Sequence, residues 1–157
     1  MKEELSATIE SAITEGESHL EKLHTSEDYL HALRPITQST LKGLDEDTVL
    51  RLDQFVYRFT KLQDSMARRL LPSLYSLLEA DTEPKPFLDM LSRLEQLEVL
   101  PSVQTWQRFR NLRNNLAHDY PESLEQTAET LNQLLQTWGD LEEIFARARD
   151  AYRRRAS

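Results

Sequence analysis

The sequence predicts an all-α protein, an antiparallel bundle of about five helices. Apolar residues recur every three or four positions through most of the 157 residues, which is the period of one face of a helix. Only three glycines and six prolines interrupt this pattern. Short connections between amphipathic helices favour antiparallel neighbours, and the length predicts one domain, residues 1–157.

Composition narrows the classes of function. Hydrophobic residues make up 39% and charged residues 29%, enough for a modest core. The absence of cysteine excludes disulfides and thiolate chemistry. We expect neither a secretion signal nor a membrane span, because no apolar segment follows the charged N-terminus, and we therefore expect a cytoplasmic protein. With a net charge of −8, an RNA site would have to be a local basic patch, and the acidic surface fits a protein partner equally well.

The first predicted helix covers residues 3–33. Gly16 is expected to interrupt it, and the hydroxyl pair at 25–26 is expected to cap a second short helix. Because the segment is rich in polar residues, we expect residues 1–40 to form a peripheral helix and connector. The core bundle is then predicted at residues 45–150.

The middle of the chain predicts two further helices. The acidic run 45–47 is a strong start signal, since carboxylates are favoured at the positive end of the helix dipole. A long helix is expected from there toward Leu78, kinked at Pro72, which lacks a backbone donor. Residues 81–86 should break the chain before a short helix at 87–97.

Two helices complete the predicted bundle. Pro101 and Ser102 start the first of them, and the second begins near Glu122 and runs into the tail. Bulky apolar residues spaced by three or four mark their buried faces. The predicted core residues are Trp106, Phe109, Leu112, Leu131, Leu135 and Trp138.

Functional side chains are densest at residues 110–121, where arginine, asparagine, histidine, aspartate and tyrosine crowd together before a proline. Arg113 precedes His118 with four residues between them. About one such pair is expected by chance in a chain of this composition. Asn114 directly after the arginine, Tyr120 two places after the histidine, and the flanking helix make the pattern more specific.

This fuller pattern resembles the HEPN superfamily, whose mark is an arginine, four to six residues and a histidine. Arginine, four residues, histidine, any residue and tyrosine is similar to the HepT-like ribonuclease toxins. The resemblance covers roughly residues 45–150, strongly only 106–121. It implies a homodimer, an RNA substrate and a small nucleotidyltransferase antitoxin as partner. It also implies that the partner attaches AMP to Tyr120.

The residues suit RNA cleavage without a metal or cofactor. His118 can move a proton at the ribose 2′-hydroxyl or the leaving 5′-oxygen, and Arg113 can hold the phosphate. Asn114 could orient the imidazole or bind the phosphate, and Tyr120 could stack on a base or contact the phosphate. Arg110 could form part of a basic strip beside the motif. On an ideal helix Arg113 and His118 lie about 140° apart, so we expect His118 at the helix end.

Other interpretations stay open. The arginine, asparagine and histidine could simply cap the C-terminus of a helix. The chain could be a non-catalytic HEPN-type substrate-binding subunit of a nucleotidyltransferase, or a helical adaptor with no nucleotide role. His19, His24 and His31 are expected at the surface rather than as metal ligands.

Overall fold

The computed structural model describes residues 1–117 and 123–156, and these form helices without a strand. This confirms the predicted all-α class. None of the helices in these two ranges is long and apolar enough to cross a membrane. The helices are α1 (Lys2–Leu30), α2 (Gln38–Lys42), α3 (Glu46–Ser65), α4 (Leu71–Glu79), α5 (Phe87–Gln96), α6 (Val103–Ala117) and α7 (Leu124–Ala156), with a 3₁₀ turn at His31–Leu33 and a π-helical segment at Met66–Leu70.

The first helix, α1, is continuous, so the predicted interruption at Gly16 is wrong. Gly16 is buried where α1 meets α7, and a Cβ added there would lie 2.2 Å from Cε2 of Phe145. The glycine therefore serves close packing rather than a break. The predicted second cap is wrong as well, because the Thr25 hydroxyl donates to the carbonyl of Glu21 within the same helix.

Helix α1 lies in the core of the bundle, which corrects the expectation of a peripheral helix. It runs antiparallel to α3, since the Arg51 guanidinium stacks over the ring of Tyr29 near one end and Arg69 pairs with Glu15 farther along. Nine of its residues are buried. The polar residues that suggested a peripheral position occupy its solvent face, and the apolar stripe packs against its neighbours.

The start of α3 is as predicted. Asp45 caps it, accepting a hydrogen bond from the Thr48 backbone amide at 2.7 Å. Hydrogen bonds from the side chain and backbone of Thr48 lower the pKa of Asp45. In place of a simple kink at Pro72, the helix has a π-helical segment just before this residue. Pro72 has no amide donor, and the π-helical segment accommodates it.

The predicted core is confirmed in full. Trp106, Phe109, Leu112, Leu131, Leu135 and Trp138 are all buried. The Trp138 indole joins three helices, because its ring packs edge-on against Phe55 of α3 and His24 of α1, at centroid distances of 5.9 and 4.8 Å. Phe59 of α3 meets Phe109 of α6 at 6.1 Å. The contact of Phe59 with Phe109 holds α6, and with it Arg113, against α3.

Candidate functional site

The orientation of α6 follows from its cap and its apolar face. Ser102 caps it, with Oγ accepting a hydrogen bond from the Thr105 amide at 2.9 Å. Trp106 and Phe109 point into the core. With those positions buried, the period of the helix leaves Arg110 exposed, as the structure shows.

Arg113 lies at the edge of that buried face, four residues before Ala117, the last residue of α6. Its side chain is 32% exposed, and Nη2 donates to Oδ1 of Asp64 on α3 at 3.3 Å. Its Nε is buried and has no hydrogen-bond partner among the described residues. The guanidinium is thus held by one long ion pair and retains donors for another acceptor.

Asp64 is shared between two arginines. The same Oδ1 lies 3.1 Å from Nε of Arg68, whose side chain is 75% exposed. One carboxylate between two guanidiniums leaves a local charge of +1 beside the motif. No sequence pattern indicates a role for Asp64 or Arg68, because an acid on an amphipathic helix usually marks a solvent face. Only the contact of α3 with α6 brings Asp64 to Arg113, 49 positions away.

The outer face of α6 carries no acidic residue. Asn114 and Arg110 are exposed there, as the sequence-based proposal that they support binding requires. Every exposed side chain described on this helix is an arginine, an asparagine or a glutamine. These residues are Gln104, Arg108, Arg110, Asn111, Asn114 and Asn115.

His118 and Tyr120 lie outside the described residues, as do Asp119 and Pro121. The expected approach of His118 to Arg113 and the accessibility of Tyr120 therefore stay predictions. The described chain resumes at Ser123, whose Oγ accepts from the Gln126 amide at 3.2 Å and caps α7. The motif thus spans the end of α6 and the residues leading into α7.

The histidines of α1 and the turn after it differ from expectation in one case. His24 and His31 are exposed, as predicted, but His19 is buried, with 7% exposure. Arg58 donates through Nη1 to Nδ1 of His19 at 3.1 Å, and Nε2 lies 3.3 Å from Oε1 of Glu15. Because a guanidinium only donates, Nδ1 accepts and Nε2 carries the proton toward the carboxylate. Both ring nitrogens are engaged within the protein, so we assign His19 a structural role between α1 and α3.

Comparisons of the chain with protein-family models, with curated proteins and with solved structures find no match. The likeness to the HEPN superfamily is therefore carried by the residues of the motif alone.

Proposed function

We propose that this chain is a metal-independent endoribonuclease of the HepT-like type, a toxin neutralised by AMP transfer from a small nucleotidyltransferase. The observation that supports this most is the state of Arg113. Its guanidinium is partly exposed near the end of α6, makes one long ion pair, and keeps a buried Nε without a partner in the described chain. It precedes the His118 to Tyr120 segment by four intervening residues in sequence.

The reaction is an internal transesterification. His118 removes the proton of the ribose 2′-hydroxyl, and the 2′-oxygen attacks the adjacent phosphorus. The bond from phosphorus to the 5′-oxygen breaks, and that oxygen leaves with a proton from an acid. The products are a 2′,3′-cyclic phosphate and a 5′-hydroxyl. Arg113 binds the non-bridging oxygens and stabilises the charge that develops on them.

A homodimer supplies the second proton-transfer group. One imidazole cannot readily serve as base and acid in the same step. A two-fold contact would place the His118 residues of two copies at one groove, since it joins the same patch on both chains. Light scattering is expected to give the mass of a dimer. An active monomer would remove the composite site from the proposal.

Tyr120 is the proposed target of the antitoxin. Its hydroxyl attacks the α-phosphorus of ATP held by the nucleotidyltransferase, and pyrophosphate leaves. The resulting phosphodiester carries a negative charge near Arg113, where it competes with the RNA phosphate, and the adenosine blocks the groove. Co-expression with the partner, followed by peptide mass spectrometry, should find AMP on Tyr120. An unmodified Tyr120 in a fully neutralised protein refutes this step.

The test of the catalytic proposal compares two substitutions with matched controls in the presence of EDTA. Arg113→Ala and His118→Ala are expected to abolish RNA cleavage. Arg155→Ala and His31→Ala remove the same residue types at exposed positions outside the motif and should leave cleavage unchanged. Circular dichroism checks that each variant keeps its helix content.

Three results would overturn the proposal: loss of cleavage in EDTA, full activity of His118→Ala, or equal loss in the controls. A parent chain that cleaves no RNA but copurifies with a nucleotidyltransferase and binds its nucleotide substrate would favour the non-catalytic subunit instead.

A further inference from the structure

Charge is segregated along this acidic chain. Residues 51–69 and 99–118 together contain eight of its 19 lysines and arginines but only two of its 27 acidic residues. The first segment has a formal charge of +3, from five basic residues and two aspartates. The second also has +3, from three arginines and no acid. The whole chain has a net charge of −8, so the rest is strongly negative.

The fold places these two segments side by side. The first contains most of α3 and of the π-helical segment, and the second contains α6. Phe59 meets Phe109 at a centroid distance of 6.1 Å in the interior. Asp64 bridges Arg113 and Arg68 at 3.3 and 3.1 Å where the helices meet solvent. The positive region between these helices is formed by Arg68 and Arg113, with the exposed Lys61 and Arg110 on either side. Arg51, Arg58 and Arg69 contact α1 instead.

An exposed aromatic ring lies on the α3 side of this region. Tyr57 is 51% exposed. Two cations flank its ring, with Nζ of Lys61 at 5.7 Å and Cζ of Arg58 at 5.6 Å from the centroid. Tyr57 and Lys61 are four residues apart, so they share one side of the helix.

We propose that this region binds single-stranded RNA and leads it to Arg113. We call it the α3–α6 basic surface and define it by Tyr57, Lys61, Arg68, Arg110 and Asn114. An unpaired base stacks on Tyr57, while Lys61 and Arg68 contact the flanking phosphates. The link to cleavage rests on the proposed ribonuclease function, whereas the binding surface rests on the contacts above.

The chemistry of the surface favours a single strand over other partners. Stacking on Tyr57 requires a base that is not paired within a duplex. Arginine and amide side chains on α6 can donate to phosphates and base edges. The acids within the surface are few. Asp64 is shared by two arginines, and the exposed Asp53 is the other aspartate of its segment.

The test measures the affinity for a short, fluorescently labelled RNA whose 2′-hydroxyls are methylated, so that it cannot be cleaved. Lys61→Glu should weaken binding about tenfold at low salt and reduce its salt dependence. Tyr57→Leu keeps apolar bulk but removes the ring, and it should weaken binding at least about fivefold. The matched control is Arg155→Glu, which changes net charge by the same amount at the far end of α7, and it should have less than about a twofold effect.

Four results would overturn the inference. The parent could fail to bind the single strand, or Arg155→Glu could weaken binding as much as Lys61→Glu, in which case affinity follows net charge alone. Duplex RNA of the same sequence could bind as tightly as the single strand. Both surface variants could also retain RNA binding but lose copurification with the nucleotidyltransferase, which would make the surface a protein interface. The affinity for a single-stranded DNA of the same sequence shows whether binding depends on the ribose.

This experiment separates the inference from the proposed function, because a methylated RNA reports binding without cleavage. If the chain binds methylated RNA through Lys61 and Tyr57 but leaves ordinary RNA intact, the binding surface is supported and the ribonuclease function is refuted. If the parent cleaves ordinary RNA, and Lys61→Glu and Tyr57→Leu cleave and bind RNA as well as the parent does, the ribonuclease function is supported and the binding surface is refuted.

Discussion

Two glycines inside long helices should respond to the same substitution in opposite directions. Gly16 lies in α1 and Gly139 in α7. A Cβ at Gly16 would lie 2.2 Å from Cε2 and 2.6 Å from Cζ of Phe145, whereas a Cβ at Gly139 meets nothing within 4 Å. Alanine at position 16 must therefore displace a buried aromatic ring, while alanine at position 139 enters open space.

The magnitudes follow from two opposing effects. Alanine is favoured over glycine inside a helix by about 1 kcal/mol, and this gain applies to both positions. Forcing extra volume into a packed core costs about 1–3 kcal/mol. We therefore expect Gly139→Ala to raise the free energy of unfolding by up to about 1 kcal/mol. Gly16→Ala should lower it by up to about 2 kcal/mol, so the difference between the two variants measures the steric cost.

Urea unfolding followed by circular dichroism measures both changes, with an unchanged m-value showing that two-state behaviour is kept. A second substitution identifies the ring as the cause. Phe145→Leu should make Gly16→Ala less costly, because the shorter side chain removes the overlap, and the double-mutant cycle would show favourable coupling. Equal stabilisation by alanine at both glycines would refute the close packing of α1 on α7.

Three further predictions concern the bundle. Trp138→Ala should cost about 3–5 kcal/mol in urea unfolding, because the indole is only 3% exposed and packs between α1 and α3; a cost below about 1 kcal/mol would contradict its burial. His19→Ala should cost about 1–3 kcal/mol, since it leaves Arg58 without this acceptor, and a neutral effect in the same assay would argue against the network. Burial, with a smaller contribution from a hydrogen bond to Glu10, raises the pKa of Tyr152 above its ordinary value of 10.0. As pH rises, the unfolded chain therefore loses this proton before the folded chain does, and the free energy of unfolding should fall from about pH 10 through the folded pKa. Urea unfolding at pH 7 to 11 should show a smaller fall in the free energy of unfolding for Tyr152→Phe than for the parent.

The sequence predicted the helices well because their signals are local. The apolar period located every long helix, and caps such as Asp45 and Ser102 stand where hydroxyl or carboxylate side chains precede an apolar run. The wrong predictions concern properties that depend on packing against another helix. Glycine disfavours helix in isolation, which predicts a break at Gly16, whereas in the bundle Gly16 leaves room for Phe145. The many polar residues of α1 suggest a peripheral helix, although α1 also has an equally continuous buried face.

The candidate site was only partly predictable for the same reason. The spacing of the motif placed Arg113 near the end of α6, and the structure agrees. No sequence pattern pointed to Asp64 or Arg68, because their relation to Arg113 exists only once α3 and α6 are packed together. The concentration of positive charge was visible in the sequence, but its meaning as a surface required the two helices to be neighbours.

The chemical ends of the RNA fragments distinguish the proposed ribonuclease chemistry of Arg113 and His118 from other routes of cleavage. The chain is incubated with single-stranded RNA in excess EDTA, and the fragments are analysed by mass spectrometry. Internal transesterification predicts a 2′,3′-cyclic phosphate or its 3′-phosphate hydrolysis product, with a 5′-hydroxyl on the other fragment, and no cleavage by His118→Ala. Fragments with a 3′-hydroxyl and a 5′-phosphate, or the same fragments from His118→Ala, would contradict it.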